Sequence, residues 1–465
     1  MGHNWKTTKL LDHYDIRSGL SKPAKDFGSG YPFLTFKDVF YNYFTPDILG
    51  DLVQSNDKER ASSSVKRGDV FLTRTSETMH ELGMSCVALQ DYENSTFNGF
   101  CKRLRPHKES ELVPEYVGYY LRSPKFRQSM LAFSTMSTRA SLNNEMIGRL
   151  EISYPSKNEQ LKIAKILKTL DDKVALNLQI NQTLEQMAQA LFKSWFVDFD
   201  PVVDNALDEG FFEQELDLPD ELLRRAEARK AVRTQAGFKP LHAATRQLFP
   251  AAFEPCSEPS LGLGGWVPKG WSVSTTGDEL TVKGGSTPST TNPEFWEGGD
   301  IHWTSPKDLS GNPDKVLLTT ERKITSAGLD KITSGLLPPE TVLMSSRAPV
   351  GYLAITKIPT AINQGYIAVT NTKHLSQEFV LYWLDSNIDM IKSLSGGTTF
   401  AEISKKTFRT IPIIVPTQKT IDWASNIIRS NLDKISANAE ECRQLEKLRD
   451  YLVPKLISGE LEVNS

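Results

Sequence analysis

Residues 158–196 constrain this chain more than any other stretch, because 39 residues pass without a proline or a glycine. They are rich in Leu, Ala, Gln and Lys, which favour helix, and their apolar residues recur at helical spacing. Ile163, Leu167, Leu170, Val174, Leu184, Ala188 and Leu191 step by alternating fours and threes, and Asn177 and Asn181 fill the two missing positions. The pattern is a heptad seam interrupted by amides. At 1.5 Å per residue such a helix is roughly 60 Å long, more than one compact domain needs. A rod of that length must lay its apolar stripe against something.

The partner lies in the same chain. A shift of 261 sets Pro155 on Pro416 and Asp172-Lys173 on Asp433-Lys434. It also pairs Leu167 with Ile428, Val174 with Ile435, Asn177 with Asn438, Leu184 with Leu445 and Leu191 with Leu452. Self-similarity at so long a period means one plan used twice, a globular region followed by a long helix. Asn177, Asn181 and Asn438 suit an antiparallel pair whose register is fixed by buried amides.

The globular regions alternate short β-type runs with turn signals. Residues 31–36, 67–73 and 85–89 read as strands, and residues 113–121 and 124–133 as helices. The fold class expected is α+β, with two α/β domains separated by two long antiparallel α-helices in a pseudo-twofold repeat. The domains expected are residues 1–150, a helix in 151–200, a linker over 201–268, a second domain over 269–410 and a second helix in 411–465. The linker contains a helix over 220–234 and ends in a Pro/Gly/Ser-rich segment, a composition that marks a surface connection rather than core. The two globular regions share a plan but differ in detail. Phe36-Lys37-Asp38-Val39 answers Pro306-Lys307-Asp308-Leu309, and Gly68-Asp69-Val70-Phe71-Leu72 falls near Glu340-Thr341-Val342-Leu343.

Charge gives little direction, with 54 basic against 57 acidic residues, and residues 197–260 carry 13 acidic and 7 basic of them. Cys86, Cys101, Cys256 and Cys442 are scattered without a CxxC or a His/Cys cluster, which argues against a zinc site and fits a reducing cytoplasm. No apolar run approaches the length of a membrane span, and the N-terminus has no signal core, so a cytoplasmic protein without a membrane partner is expected.

Catalytic signatures are missing. No GxxxxGK[ST] loop, HExxH or GxSxG occurs, and Asn292-Pro293-Glu294-Phe295 lacks the second proline of an amino-methyltransferase tetrapeptide. The chain is expected to perform no chemistry and to hold no metal or cofactor. Polar loops with single arginines are better candidates for binding. Arginine reads guanine bidentately, Asn and Gln read adenine, and hydroxyls and backbone N–H groups suit phosphates. The candidates in the first region are Lys37, Thr73, Arg74, Thr75, Ser76, Arg139 and Asn143. In the second they are Gly284, Gly285, Ser286, Thr287, Lys307, Ser345, Ser346, Arg347, Asn363, Gln364, Gly397 and Thr398. The bland reading of each is a solvated turn. Trp296, Trp303, Tyr41, Tyr43 and Phe44 have the rings to stack on bases, although core packing is the commoner use. Phe192, Trp195, Phe196 and Trp423 lie at or near helix ends, where a partner protein would cover them.

With these residues in place the chain resembles the DNA-specificity subunit of type I restriction–modification enzymes. The likeness is carried by Gln160, Ile163-Ala164, Leu170-Asp171-Asp172-Lys173, Leu184-Glu185, Leu191-Phe192, Trp195-Phe196 and Phe199-Asp200-Pro201. It continues through Phe249-Pro250, Gly265-Trp266-Val267-Pro268, Gly284-Gly285-Ser286-Thr287-Pro288, Ala361-Ile362-Asn363-Gln364-Gly365 and the ending Lys455-Leu456-Ile457-Ser458-Gly459. The resemblance implies two target-recognition domains, each reading half of an asymmetric bipartite site in double-stranded DNA, with the helices as spacer. It also implies a complex with two methyltransferase (M) subunits that bind S-adenosylmethionine and methylate adenine. Two restriction (R) subunits that use ATP and Mg2+ would join through them. The alternative, from a different class, is a two-lobed protein-interaction scaffold that does not read DNA.

Overall fold

Both long helices form, and each starts where a proline ends a strand. In this computed structural model the first helix is Lys157–Phe192, and a π-helical turn, Lys193–Val197, extends it. The Ser156 N–H and hydroxyl donate to Glu159 at 3.2 and 2.7 Å, a capping arrangement that satisfies the free first turn. Gln160, fully buried, accepts from the Val113 N–H at 2.9 Å and donates to the Pro155 carbonyl at 3.0 Å, tying the helix start to its sheet. The second helix, Gln418–Ser458, opens on Thr417, whose hydroxyl accepts from the Thr420 N–H at 3.4 Å. The structure describes residues 5–76, 81–132, 140–312, 314–347, 349–396 and 401–463. It falls into two units, Met1–Ala175 with Cys442–Ser465, and Leu176–Glu441.

The first unit contains seven strands used below: β1 (Tyr14–Ser18), β2 (Phe27–Leu34), β3 (Asp51–Val53), β4 (Val70–Thr73), β5 (Ser85–Val87), β6 (Thr96–Phe97) and β7 (Cys101–Pro106). One sheet has the order β1-β7-β4-β5 and a second the order β3-β2-β6, in which β2 and β6 run parallel. A ladder of Lys6–Lys9 against Glu151–Tyr154 brings entry and exit of the unit together. The core gathers Val70, Leu72, Leu104, Tyr116, Tyr119 and Phe126. Ile163, Ala164 and Leu167 of the first long helix join it, beside Val453, Leu456 and Ile457 of the second.

The second unit repeats that plan with β8 (Leu280–Lys283), β9 (Ile301–Thr304), β10 (Val316–Leu317), β11 (Arg322–Ile324), β12 (Val342–Ser345), β13 (Leu353–Thr356), β14 (Ala361–Ile362) and β15 (Tyr366–Thr372). Its sheets have the orders β8-β15-β12-β13-β10 and β11-β9-β14, with β9 and β14 parallel. Ser272–Thr275 pairs Pro412–Val415 as the corresponding entry and exit ladder.

Within each unit the helices pair antiparallel. In the first, Arg449 donates to Asp171 at 2.8 Å, and the Cys442 thiol lies 3.8 Å from the Val174 carbonyl. In the second, Asn438 donates to the Asn181 side chain at 2.9 Å and Asn177 to Glu441 at 2.8 Å. All three asparagines are buried, so the amide-interrupted seam is a packed polar layer inside the pair.

The stretch expected as a surface linker is part of the second unit's core. Val202, Val203, Ala206, Phe211, Leu222, Ala226, Phe249, Phe253 and Leu263 are buried in one cluster with Phe379 and Ile421. The acidic composition misleads because the carboxylates of its first helix are paired. Asp204 and Asp208 on the helix Asp200–Asp208 bond to Arg229 and Arg246 at 2.7 and 2.6 Å, with Arg225 on Asp200 and Arg233 on Asp208.

Candidate nucleic-acid interface

Matching hydrogen bonds inside each unit identify equivalent residues, one by one. After β6, Asn98 turns the chain: its side-chain oxygen accepts from the Phe100 N–H at 2.8 Å. After β14, Asn363 does the same for the Gly365 N–H at 2.8 Å. The Asn98 N–H reaches the Leu34 carbonyl at 3.0 Å, and the Asn363 N–H reaches Thr304 at 3.0 Å. The Arg74 N–H donates to the Phe100 carbonyl at 2.7 Å where the Ser346 N–H donates to Gly365 at 2.8 Å. Leu142 and Ile403 then bond back to the carbonyls of Arg74 and Ser346, at 2.8 and 3.0 Å. Glycine is required at Gly19 and Gly285, where a Cβ would overlap the carbonyl oxygens of Asn98 and Ile362.

These bonds equate Arg74 with Ser346, Thr75 with Arg347, Phe100 with Gly365 and Gly99 with Gln364. The helix starts agree as well. Thr35 and Asp38 form a reciprocal cap at 2.8 and 3.1 Å ahead of Lys37, and Ser305 bonds to Asp308 at 2.8 Å ahead of Lys307. Both lysines are exposed, and Lys307 pairs with Glu321 at 2.9 Å.

Several sequence candidates change role. Thr73 and Ser345 are buried at the ends of β4 and β12, where their hydroxyls accept from the N–H groups of Met84 at 2.9 Å and Tyr352 at 2.7 Å. Both hydroxyls hold turns. Ser346 is 4% exposed, and its main chain bonds to Gly365 and Ile403. Phe192, Trp195 and Phe196 are buried in the second unit, with Phe192 and Phe196 each 5.0 Å from Phe379 and Trp195 5.1 Å from Phe249. They are core, not partner surface, whereas Trp423 is 46% exposed. Asn143 caps the helix Asn144–Arg149 by accepting the Met146 N–H at 2.8 Å.

The remaining candidates sit around the equivalent turns. The Arg74 side chain is exposed, and neither its guanidinium nor that of the half-buried Arg347 has a partner among the described residues. Thr75 pairs with Ser141, and the backbone of Ser76 with Ala140. Gln364 accepts from the Thr287 hydroxyl at 2.7 Å, and the Ser286 hydroxyl donates to the Lys331 carbonyl at 3.1 Å. Gly284 lies against the Lys405 side chain. Arg139, Gly397 and Thr398 lie outside the described residues.

Two groups escaped the sequence reading. Phe100 is 62% exposed on the Asn98 turn, and Lys102 follows it on β7. Partial burial, then the nearby Arg74 charge, lowers the Lys102 amine below its ordinary pKa. Of the aromatics, Trp303 is buried edge-on to Trp296 at 5.2 Å, Tyr43 and Phe44 pack on Tyr119, and Tyr41 is exposed. Among the described residues no helix is long and apolar enough to cross a membrane.

The family model for the type I restriction modification DNA specificity domain matches residues 3–186 and 268–447. The HindI specificity subunit of Haemophilus influenzae is 30% identical over 482 aligned residues, covering 98% of this chain and 100% of that one. The MjaIX specificity subunit of Methanocaldococcus jannaschii is 33% identical over 186 residues, 40% of this chain and 43% of its own. A crystal structure of a type I restriction–modification S subunit from M. genitalium superposes with a TM-score of 0.54 at 14% identity, covering 98% of this chain and 97% of the other. That likeness is one of fold.

Proposed function

The chain belongs to the type I restriction–modification DNA specificity family, and from that premise we propose that its two units read the two halves of one asymmetric bipartite site in duplex DNA. As a specificity subunit it selects the sequence on which the enzyme acts. The observation that carries the asymmetry is the shared backbone frame with different side chains on it, Arg74 against Ser346, Thr75 against Arg347 and Phe100 against Gly365. A scaffold that does not read DNA is not favoured by this family membership.

A half-site of about three or four base pairs discriminates weakly, since each mismatch costs roughly 1–3 kcal/mol. Two half-sites at fixed separation add those penalties. In this reading the long helices set that separation, with half-sites about one helical turn apart, roughly 34–36 Å. Methyltransferase subunits dock on the chain, two being expected, and restriction subunits join through them. S-adenosylmethionine, ATP and Mg2+ belong to those partners, in the cytoplasm. With a net charge of −3, the chain's non-specific affinity is modest and the partners supply much of the grip on phosphate.

The test is to lengthen both long helices by one heptad and to sequence the methylome of cells carrying the complex. The half-sites should be kept while the spacer between them changes. An unchanged spacer refutes the helices as its measure.

A further inference from the structure

We propose that Phe100 is an apolar wedge of the first reader, inserted at a base step of its half-site, and that the second reader has no counterpart. The inference rests on the DNA-reading function above.

Single exposed hydrophobic residues are ordinary and need no explanation by themselves. The surroundings of Phe100 set it apart. Its N–H is bonded to the Asn98 side chain at 2.8 Å and its carbonyl to the Arg74 N–H at 2.7 Å. The neighbouring Gly99 N–H donates to the Leu20 carbonyl at 2.9 Å, and a Cβ at Gly99 would overlap the Ser21 hydroxyl. The backbone is therefore fixed from three sides while the phenyl ring, 62% exposed, joins no apolar cluster of the described residues. A rigid mount with an uncommitted ring suits insertion, because little is left to order on binding.

Charge identifies what the ring meets. Arg74, whose N–H holds the Phe100 carbonyl, has no side-chain partner among the described residues, and Lys102, two residues beyond Phe100 and within reach of the Arg74 charge, donates only to the neutral Ser18 hydroxyl, at 2.9 Å. Two cations close to an exposed aromatic match a strand of phosphates with base faces beside it. Apolar side chains placed in this way enter base steps and partly unstack them. At the equivalent turn of the second unit Gly365 carries no side chain, while Gln364 and Thr287 present polar atoms. The first reader would work by wedge and cation, the second by hydrogen bonds.

The experiment uses the full chain assembled with its methyltransferase partner and duplexes bearing the methylated target. 2-Aminopurine replaces adenines of either half-site other than the ones the partner methylates, because flipping of a methylated adenine would itself raise the signal. With the wild-type complex, fluorescence should rise at one step of a single half-site. F100A should abolish that rise and weaken binding about tenfold, within the range of aromatic–base stacking. F100L, which keeps apolar bulk without the ring, should fall between. An F100A complex that binds with wild-type affinity and keeps the fluorescence rise overturns the wedge alone. A wild-type complex with no preference for any bipartite sequence overturns the DNA-reading function, and the wedge with it. An unchanged melting temperature for F100A ties any loss to contact, and F100L reports if F100A fails to fold.

Discussion

The buried amides between the long helices lend themselves to a double-mutant test in the second unit. Asn438 donates to the Asn181 side chain at 2.9 Å, and Asn181 donates to the Ile435 carbonyl at 3.3 Å. Both residues are 1% exposed, so neither amide has water as a substitute partner. Asn438→Leu leaves the Asn181 oxygen buried without its donor, which costs about 1–3 kcal/mol. Asn181→Leu costs at least as much, because Asn181 also bonds to the half-buried Asp314. Burial holds that carboxyl above the usual range and the amide opposes it, so losing the amide pushes it higher still. In the double Leu variant no orphaned amide faces another. Paired apolar replacements of this kind are often near neutral.

The expected coupling between the two sites is therefore about 1 kcal/mol or more, with the double variant more stable than the sum of the singles. Thermal unfolding of the second unit, followed by calorimetry, reads this as roughly 2–4 °C per kcal/mol. Additive losses, within about 0.5 kcal/mol, would mean the amides do not sense each other and would refute the seam as a polar layer that fixes register. If register is what the amides fix, the double Leu variant should also broaden the spacer lengths methylated by the complex, since apolar seams accept neighbouring alignments.

Two further outcomes follow from side chains already placed. Arg229→Ala removes the partner at 2.7 Å from the buried Asp204 and should destabilise the second unit by about 2–3 kcal/mol, while Lys230→Ala, whose partner Glu227 is exposed, should stay within about 0.5 kcal/mol; equal effects in denaturant melts would count against the ladder. Burial lowers the His13 pKa below its ordinary 6.5, against the pull of Asp12 and Glu111, so the unfolded chain takes up a proton first and stability drops as pH falls below about 6.5. Acidification should therefore lower the melting temperature of the first unit less in His13→Gln than in wild type, and parallel slopes for the two would refute it.

Much of this was legible because long helices write their partners into the chain. The heptad steps and the shift of 261 that links Asn177 to Asn438 needed no knowledge of three-dimensional contacts. The acidic segment reads as a surface connection because composition hides pairing, yet its spacing carries a signal. Asp200, Asp204 and Asp208 step by four, and so do Arg225, Arg229 and Arg233. Two helices with complementary ladders cancel each other's charge and free Val202, Val203 and Ala206 for the core. The burial of Phe192 and Phe196 could not be read locally, since Phe379, which covers both, lies far along the chain. Thr73 and Ser345 looked like contacts because strand ends are where contacts occur; their hydroxyls serve turns instead. Phe100 is hidden in the sequence because Asn98 and Asn363 differ by 265 positions, off the repeat shift of the helices.

The same frame bears on why the target should be asymmetric. Along an extended segment successive side chains face opposite ways, so moving a residue by one position moves it to the other face. Arg74 occupies the place of Ser346, which is buried, and Arg347 occupies the place of Thr75. Each reader thus has, just beyond its central strand, an arginine without a side-chain partner among the described residues, the two set one residue apart in the common frame. An arginine fork reads guanine only when it lies in the base plane. If the two arginines read guanine as proposed, forks mounted on opposite faces of equivalent segments would meet different base pairs, even on identical scaffolds. Exchanging the residues at these paired positions, rather than whole units, is therefore the smallest change that would make the two half-sites converge.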